Sequence, residues 1–530
     1  MKETSHQLPP LLKRGCGPVL AMPVAVCLLL SPCHLVTLSP CHGAEADQLI
    51  DSPMYRDPDL PAPPVVTVFP KRAKELWLKA LQRPEAEMRF RAADAIALAH
   101  RRGMKGMETT VAPLVAVLDR PDQHPTVRLA AARALVTLEA REAAPSLFKQ
   151  AQAGDVPLRE AVEPALARWD YRPARAMWLE RLRDPATPHR ALVLAVRGLG
   201  AVRETEAADR LREMVLSGRT PGPVRLEAAR ALGAVRGEGL EADAERLAAD
   251  GLVARLAAAA LLQRHQGEAA VRLLRQLARD PEPAVAALAA GRLLEIDPKL
   301  VLPVLEHLLA SRDAKVRSLG VEALRRLPAE KHVRPLADRL DDAHPEVRVN
   351  ARRALHEFAA KKELRATVIA EAVRTLAGRQ WRALEQAAIL LTQLDHKPAA
   401  GRLLALLTFD RPEVFVTAAW GLRKLAVPVT LPAVLAYVDG ESKRRLTGQD
   451  LPNRRGVSGA MIDHQLSQLN QFLGRQKYGP ADAVLRRFIP HIGDRLGAES
   501  RTAAVWALGL LHEGKGDSGL AGPLQERLKD

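Results

Sequence analysis

The stretch VRLAAARAL at residues 127–135 returns as VRLEAARAL at 224–232, VRSLGVEAL at 316–324 and VRVNARRAL at 347–355. With the Arg as position zero, an apolar residue stands at minus one, a small or apolar one at plus three, a small one at plus six and Leu at plus seven. At 3.6 residues per turn these positions share one face of a helix. Working outward, the same slot falls at Arg89, Arg128, Arg159, Leu192, Arg225, Arg255, Ala286, Arg317, Arg348, Arg382, Phe415 and Arg501. The successive gaps are 39, 31, 33, 33, 30, 31, 31, 31, 34, 33 and 86 residues. A period near 31–33 residues is the mark of a repeat array.

Each slot follows a break, often with Asp and Pro, as at Asp122 and Pro125, Asp280 and Pro281, Asp341 and Pro345, and Asp410 and Pro412. Asp caps a coming helix and Pro suits its first turn. Ahead of each break lies a second short apolar run, such as VAPLVAVL at 111–118, VLPVLEHLL at 301–309 and VRPLADRL at 333–340. The unit is helix, turn, helix. One hairpin cannot bury its own apolar face, so the hairpins must stack. The reading is an all-α chain, an α-solenoid of about twelve hairpins.

Composition agrees. The chain has 530 residues, too many for one ordinary core, with 47% hydrophobic residues but only 3% aromatic ones. Ala, Leu and Val dominate and suit close helix packing. No convincing strand alternation follows the leader.

The pattern resembles HEAT repeats, particularly the short variety related to phycobilisome bilin lyases, over about 71–430 and again about 480–530. The resemblance implies a right-handed superhelix with second helices lining the concave surface. It also implies an internal Asp–Arg ladder, which Asp122, Asp313 and Asp342 with Arg128, Arg317 and Arg348 match, and which Leu192, Ala286 and Phe415 interrupt. The slot arginines therefore read as structural rather than ligand-binding. Fold alone does not assign a task.

Residues 1–46 read as a secretory signal. Lys13 and Arg14 give the positive flank, VLAMPVAVCLLL at 19–30 the apolar stretch, and Ala44-Glu45-Ala46 the cleavage pattern, which would start the mature chain at Asp47. Leu38-Ser39-Pro40-Cys41 fails as a lipoprotein box because Pro40 stands where a small residue is needed. An uncleaved membrane anchor is the rival reading, and no later segment is long and apolar enough to span a bilayer. All four cysteines, Cys16, Cys27, Cys33 and Cys41, lie in the leader, so a cleaved chain has no thiol chemistry. Residues 47–70 form a Pro-rich linker. The repeat array follows at 71–435, an interrupted repeat with a basic insertion at 436–480, and a C-terminal repeat or cap at 481–530.

The net charge is +16. Beyond residue 46 it is +15, from 75 basic and 60 acidic residues. Such a balance favours anionic partners, although scattered arginines are often solvated or paired. Motifs for catalysis are weak. His356-Glu357 and His512-Glu513 lie far apart, whereas HEAT-like deoxyhypusine hydroxylases need several such pairs for two irons. HEAT-like DNA glycosylases share the basicity, but export argues against them. It also argues against bilin lyases, which need a cytoplasmic pigment. No H-E-x-x-H occurs. Gly456 to Ala460, GVSGA, misses the nucleophile elbow, and Gly509 to Gly516, GLLHEGKG, lacks the Ser or Thr of a phosphate loop. No catalytic, cofactor or metal residue is assigned.

Candidate binding residues come from two places. The 86-residue gap holds GESKRRLTGQDLPNRRGVSG at 440–459, read as a grown loop with Arg444, Arg445, Arg454 and Arg455. The helix MIDHQLSQLNQFLGRQKY at 461–478 follows, unusual in its glutamines. Trp420 and Trp506 stand at plus five, nearly opposite the buried stripe, in the register of Arg133, Arg230 and Arg353. They face the concave side or pack against the insertion. The expected function is a non-enzymatic scaffold of the cell envelope, periplasmic or secreted, binding a protein or peptide on the concave face of the solenoid and no small-molecule substrate. A binder of anionic polymer, either acidic polysaccharide or, without export, nucleic acid, is the alternative, and a HEAT-type enzyme the third.

Overall fold

The computed structural model describes residues 68–530 apart from 154, 450–456, 491–494, 516–518 and 528–530. The leader and most of the linker lie outside these residues, as do Arg454 and Arg455. Among the described residues there are 27 α-helices and no strand. The helices alternate as first and second members of hairpins, from Ala73–Leu81 with Ala86–Arg101 to Asp482–Arg486 with Ala498–Leu511, and a last first helix, Ala521–Arg527, follows.

Every slot found in the sequence sits in the first turn of a second helix, for example Arg128 in Pro125–Thr137 and Arg317 in Ala314–Arg325. The apolar run at 111–118 is the helix Val111–Leu118 as read. The run at 301–309 begins instead as a 3-10 turn, Pro298–Val304, and becomes α-helical only at Leu305–Ala310. Pro303 explains this, since proline lacks the N–H that an α-helical interior needs.

The helices start and stop on local signals. The Asp155 and Asp313 carboxylates accept from the amides of Leu158 and Val316, at 3.1 and 3.0 Å, and cap two second helices. The far ends of several second helices close through a residue in left-handed conformation: Glu139, Asp170, Arg203, Asp395 and Lys477, with φ between 45° and 55°. The next amide then reaches back, as when Ala140 N–H donates to Leu135 O at 3.1 Å and His396 N–H to Leu391 O at 2.9 Å. Orphan carbonyls are satisfied this way.

Within each hairpin the core forms between the helices and then continues into the next hairpin. Second helices also pack on their successors. A methyl group added to Gly233 would meet the Leu261 carbonyl at 2.5 Å, and one on Gly474 would meet Ala507 Cβ at 2.5 Å. Only a missing side chain lets the backbones come so close. The buried residues run as a ribbon from Leu81 to Ala323 and again from Val321 to Leu520, meeting at the helix Ala314–Arg325. Each fully buried Leu contributes about 1.5–3 kcal/mol, so stability accrues hairpin by hairpin.

The long gap between Phe415 and Arg501 contains one complete hairpin, Leu431–Thr447 with Gly459–Arg475. Its slot residue is Ile462, hidden from the sequence pattern because no Arg marks it. Arg444 and Arg445 do not lie in a loop. Gly440 to Thr447 continue the first helix, which ends at Gly448 with φ +72°. The first helix thus ends at Thr447 and the second begins at Gly459.

Candidate functional site

A second helix has two working faces. At its N-terminal end, the slot arginine folds back on the turn it has just left. The Arg89 guanidinium donates to the carbonyls of Arg83 and Pro84, both at 2.7 Å, and Arg225 Nε donates to Val215 O at 2.7 Å. Arg348 Nη1 takes Asp342 O at 2.8 Å and Ala343 O at 3.1 Å. These are carbonyls left over where the first helix ends, and a planar cationic fork suits them. Arg89, Arg225 and Arg348 are buried as a result. These slot arginines are structural, as the sequence implies.

The ladder between repeats is real but differs from the expected one. Arg255 bonds Asp280 at 2.7 Å, and Arg317 grips Asp342 at 2.6 and 2.7 Å. Arg89 uses Gln123 in place of an acid, at 2.9 Å. Asp313 instead caps its own helix, Asp122 is exposed, and Arg128 and Arg348 turn to backbone carbonyls. Burial raises the Asp342 carboxyl, but the Arg317 fork and the His344 amide outweigh it, so Asp342 titrates below the ordinary range.

The plus-five face is divided. Arg133 and Arg353 are exposed, with no hydrogen bond or ion pair among the described residues. Arg230 is half-buried and donates to Glu227 at 3.0 Å. Trp506 is 43% exposed, with the Arg475 guanidinium 6.0 Å from its ring centroid. Trp420 overturns the exposed reading: it is 4% exposed, within a helix whose residues from Glu413 to Arg423 are all buried. A helix enclosed on every side has no solvent face, so the register rule stops there. Arg444 is also engaged, donating to the buried Glu441 at 2.6 Å, and Arg445 lies against Gly459.

Around Trp420 the second helices carry a buried polar network. Gln465 Nε2 donates to Leu407 O at 2.9 Å while its oxygen accepts from Tyr437 at 2.8 Å. Arg423 Nη1 donates to Gln471 at 2.7 Å, Arg352 to Gln386 at 2.9 Å and to Gln393 at 2.8 Å, and Asn470 to Ser500 O at 3.0 Å. Burial and then the neighbouring Arg475 push the Arg423 guanidinium down to about 10. The glutamines of 461–478 were the sequence signal for the Gln465 and Gln471 contacts alone. A second cluster left no signal: Trp381 lies under three guanidinium groups, those of Arg411, Arg382 and Arg348, at 4.5, 4.7 and 5.7 Å. The histidine pairs do not converge. His356 and Glu357 are exposed, Glu357 pairing with Arg325, whereas His512 binds Asp482 and Glu513 binds Lys477. Among the described residues, no helix is long and apolar enough to cross a membrane.

Fold and surface together define a HEAT-like helical solenoid. The family model described as HEAT repeats matches residues 75–167. No curated protein matches the chain. Similar solved structures include Kap95p in its complex with RanGDP (14% identity, TM-score 0.48, covering 86% of this chain and 63% of that one) and yeast importin-β, Kap95p (13%, 0.45, 86% and 63%). Kap121p is similar at 13% identity and a TM-score of 0.45, covering 87% of this chain and 51% of that one. The chain thus spans between about half and two thirds of their length.

Proposed function

We propose that the chain is a non-enzymatic scaffold of the bacterial cell envelope that binds a protein or peptide along the solvent face of its second helices. One observation carries the reading. The slot arginines are bound up within the fold, whereas Arg133, Arg353 and Trp506, on the opposite face of the same helices, have no evident folding duty. An exposed Trp beside an Arg is the chemistry of protein recognition. Second helices approach one another closely through Gly200, Gly233 and Gly474, which favours their lying on the inner side of the array. The leader motivates the envelope location.

The polyanion alternative is weakened by the same contacts, since many arginines are already held by carbonyls or carboxylates. The test is a pull-down from envelope extract with residues 47–530, comparing the parent with an Arg353→Ser/Trp506→Ser variant at low and moderate salt. A protein ligand that survives moderate salt and is lost from the variant supports the reading. Retention of nucleic acid or acidic polysaccharide that collapses with salt would establish the alternative.

A further inference from the structure

Between the second helices His189–Ala201 and Gly222–Val235 runs a groove formed by two adjoining clefts of about 270 and 230 Å³, with Arg197 lining both. The first cleft has apolar walls, Val193, Leu194, Pro221 and Pro223, with Arg190 at its rim. The second is floored by small residues, Gly200, Ala201, Ala231 and Ala234, and edged by Arg230. Gly200 opens this part of the groove, because a methyl group there would lie 2.8 Å from Ala231. Each cleft is smaller than the ~300–1,000 Å³ typical of cofactor and drug-sized sites. Side chains of a peptide fit better than a whole small molecule.

The polar groups say which peptide. Glu227 is buried and already accepts from Arg197 at 2.9 Å and Arg230 at 3.0 Å. That contact occupies only one edge of the Arg197 guanidinium, whose side chain remains 50% exposed. Arg190 is exposed, with no bond to any described residue. The groove therefore presents two exposed cationic groups, with Glu227 turned inward and Glu160 the one carboxylate left exposed beside Arg197. Glu160, exposed in the first cleft, discourages a polymer with a charge at every unit while tolerating carboxylates spaced apart.

We propose that this groove docks an extended acidic segment of a partner protein, with an aliphatic side chain in the Val193–Pro221 cleft and carboxylates on Arg190 and Arg197. The proposal rests on the scaffold reading above and adds the place and the partner's chemistry. A carboxylate on an arginine fork forms a charge-assisted bond, the strong kind.

The probe is a phage-displayed library of random peptides selected on the full chain. Binding of the enriched peptides is then measured on the parent, on Arg190→Ser/Arg197→Ser, and on Arg190→Glu alone. Arg190 is exposed and makes no hydrogen bond or ion pair with a described residue, so the last variant is expected to fold as the parent does. The expected result is enrichment of Asp and Glu beside Leu, Ile or Val, with affinity falling about tenfold or more in both variants. Peptides without acidic residues, or with affinity unchanged in both variants, overturn the groove but leave the scaffold standing. Failure to enrich any peptide on the folded chain overturns both.

Discussion

Arg317 holds two repeats with one guanidinium: two donors grip Asp342, and the third takes the carbonyls of Ser311 and Arg312 at 3.0 and 2.9 Å. Both side chains are nearly enclosed, so removing one leaves a buried charge. Arg317→Ala should cost about 3–5 kcal/mol in urea melts, and a loss below about 1 kcal/mol would contradict the ladder. The pH dependence follows in sign. Asp342 titrates lower folded than unfolded, so its contribution is present above the unfolded value of about 3.9 and fades as the pH drops below it. Stability of the parent should fall on acidification through that range, and Asp342→Asn should flatten the fall. Arg444 is a milder case because it is partly exposed over the buried Glu441. Arg444→Ser should lower stability by about 1–2 kcal/mol without changing partner capture. A loss of capture at unchanged melting temperature would restore it as a binding residue.

Among the helices, backbone geometry makes sharper claims than side-chain pairing. Ala426 ends the helix Pro412–Leu425 at φ +52°, a conformation that costs a residue with a Cβ. Ala426→Gly should therefore stabilise by about 1 kcal/mol, a sign opposite to that of glycine in a helix interior. Gly233→Ala should destabilise, because its methyl would press on the Leu261 carbonyl, whereas Gly291→Ala meets nothing and should gain about 0.4–1 kcal/mol. Thermal melts of the three variants decide. Helix identity was largely legible in the sequence, since caps, prolines and the buried stripe are local features. The boundary at 440–447 was not. Gly440 reads as punctuation, yet an isolated glycine costs a helix only about 1 kcal/mol and packing absorbs it. Ile462 was invisible for a related reason: the slot Arg is a clasp for the turn, not a requirement for the helix.

At the scale of the molecule, the array was legible because the main helix packings among the described residues join a hairpin to itself or its neighbour. The binding face was less so. Register predicts solvent exposure only where a second helix has an open side, which Arg133, Arg353 and Trp506 have and Trp420 lacks. The groove at Arg190 and Arg197 depends on two helices at once, and no single-helix pattern reveals it. Export is expected to leave Asp47 as the first residue, so N-terminal sequencing of protein recovered outside the cytoplasm checks the location, and intact Met1 in cytosol would reverse it. The most direct test of the central claim is amide hydrogen exchange of the full chain with and without a captured partner. Exchange should slow mainly in second helices, foremost His189–Ala201 and Gly222–Val235, with first helices such as Arg172–Arg183 and Ala208–Leu216 unchanged. Protection falling on the first helices instead would contradict it.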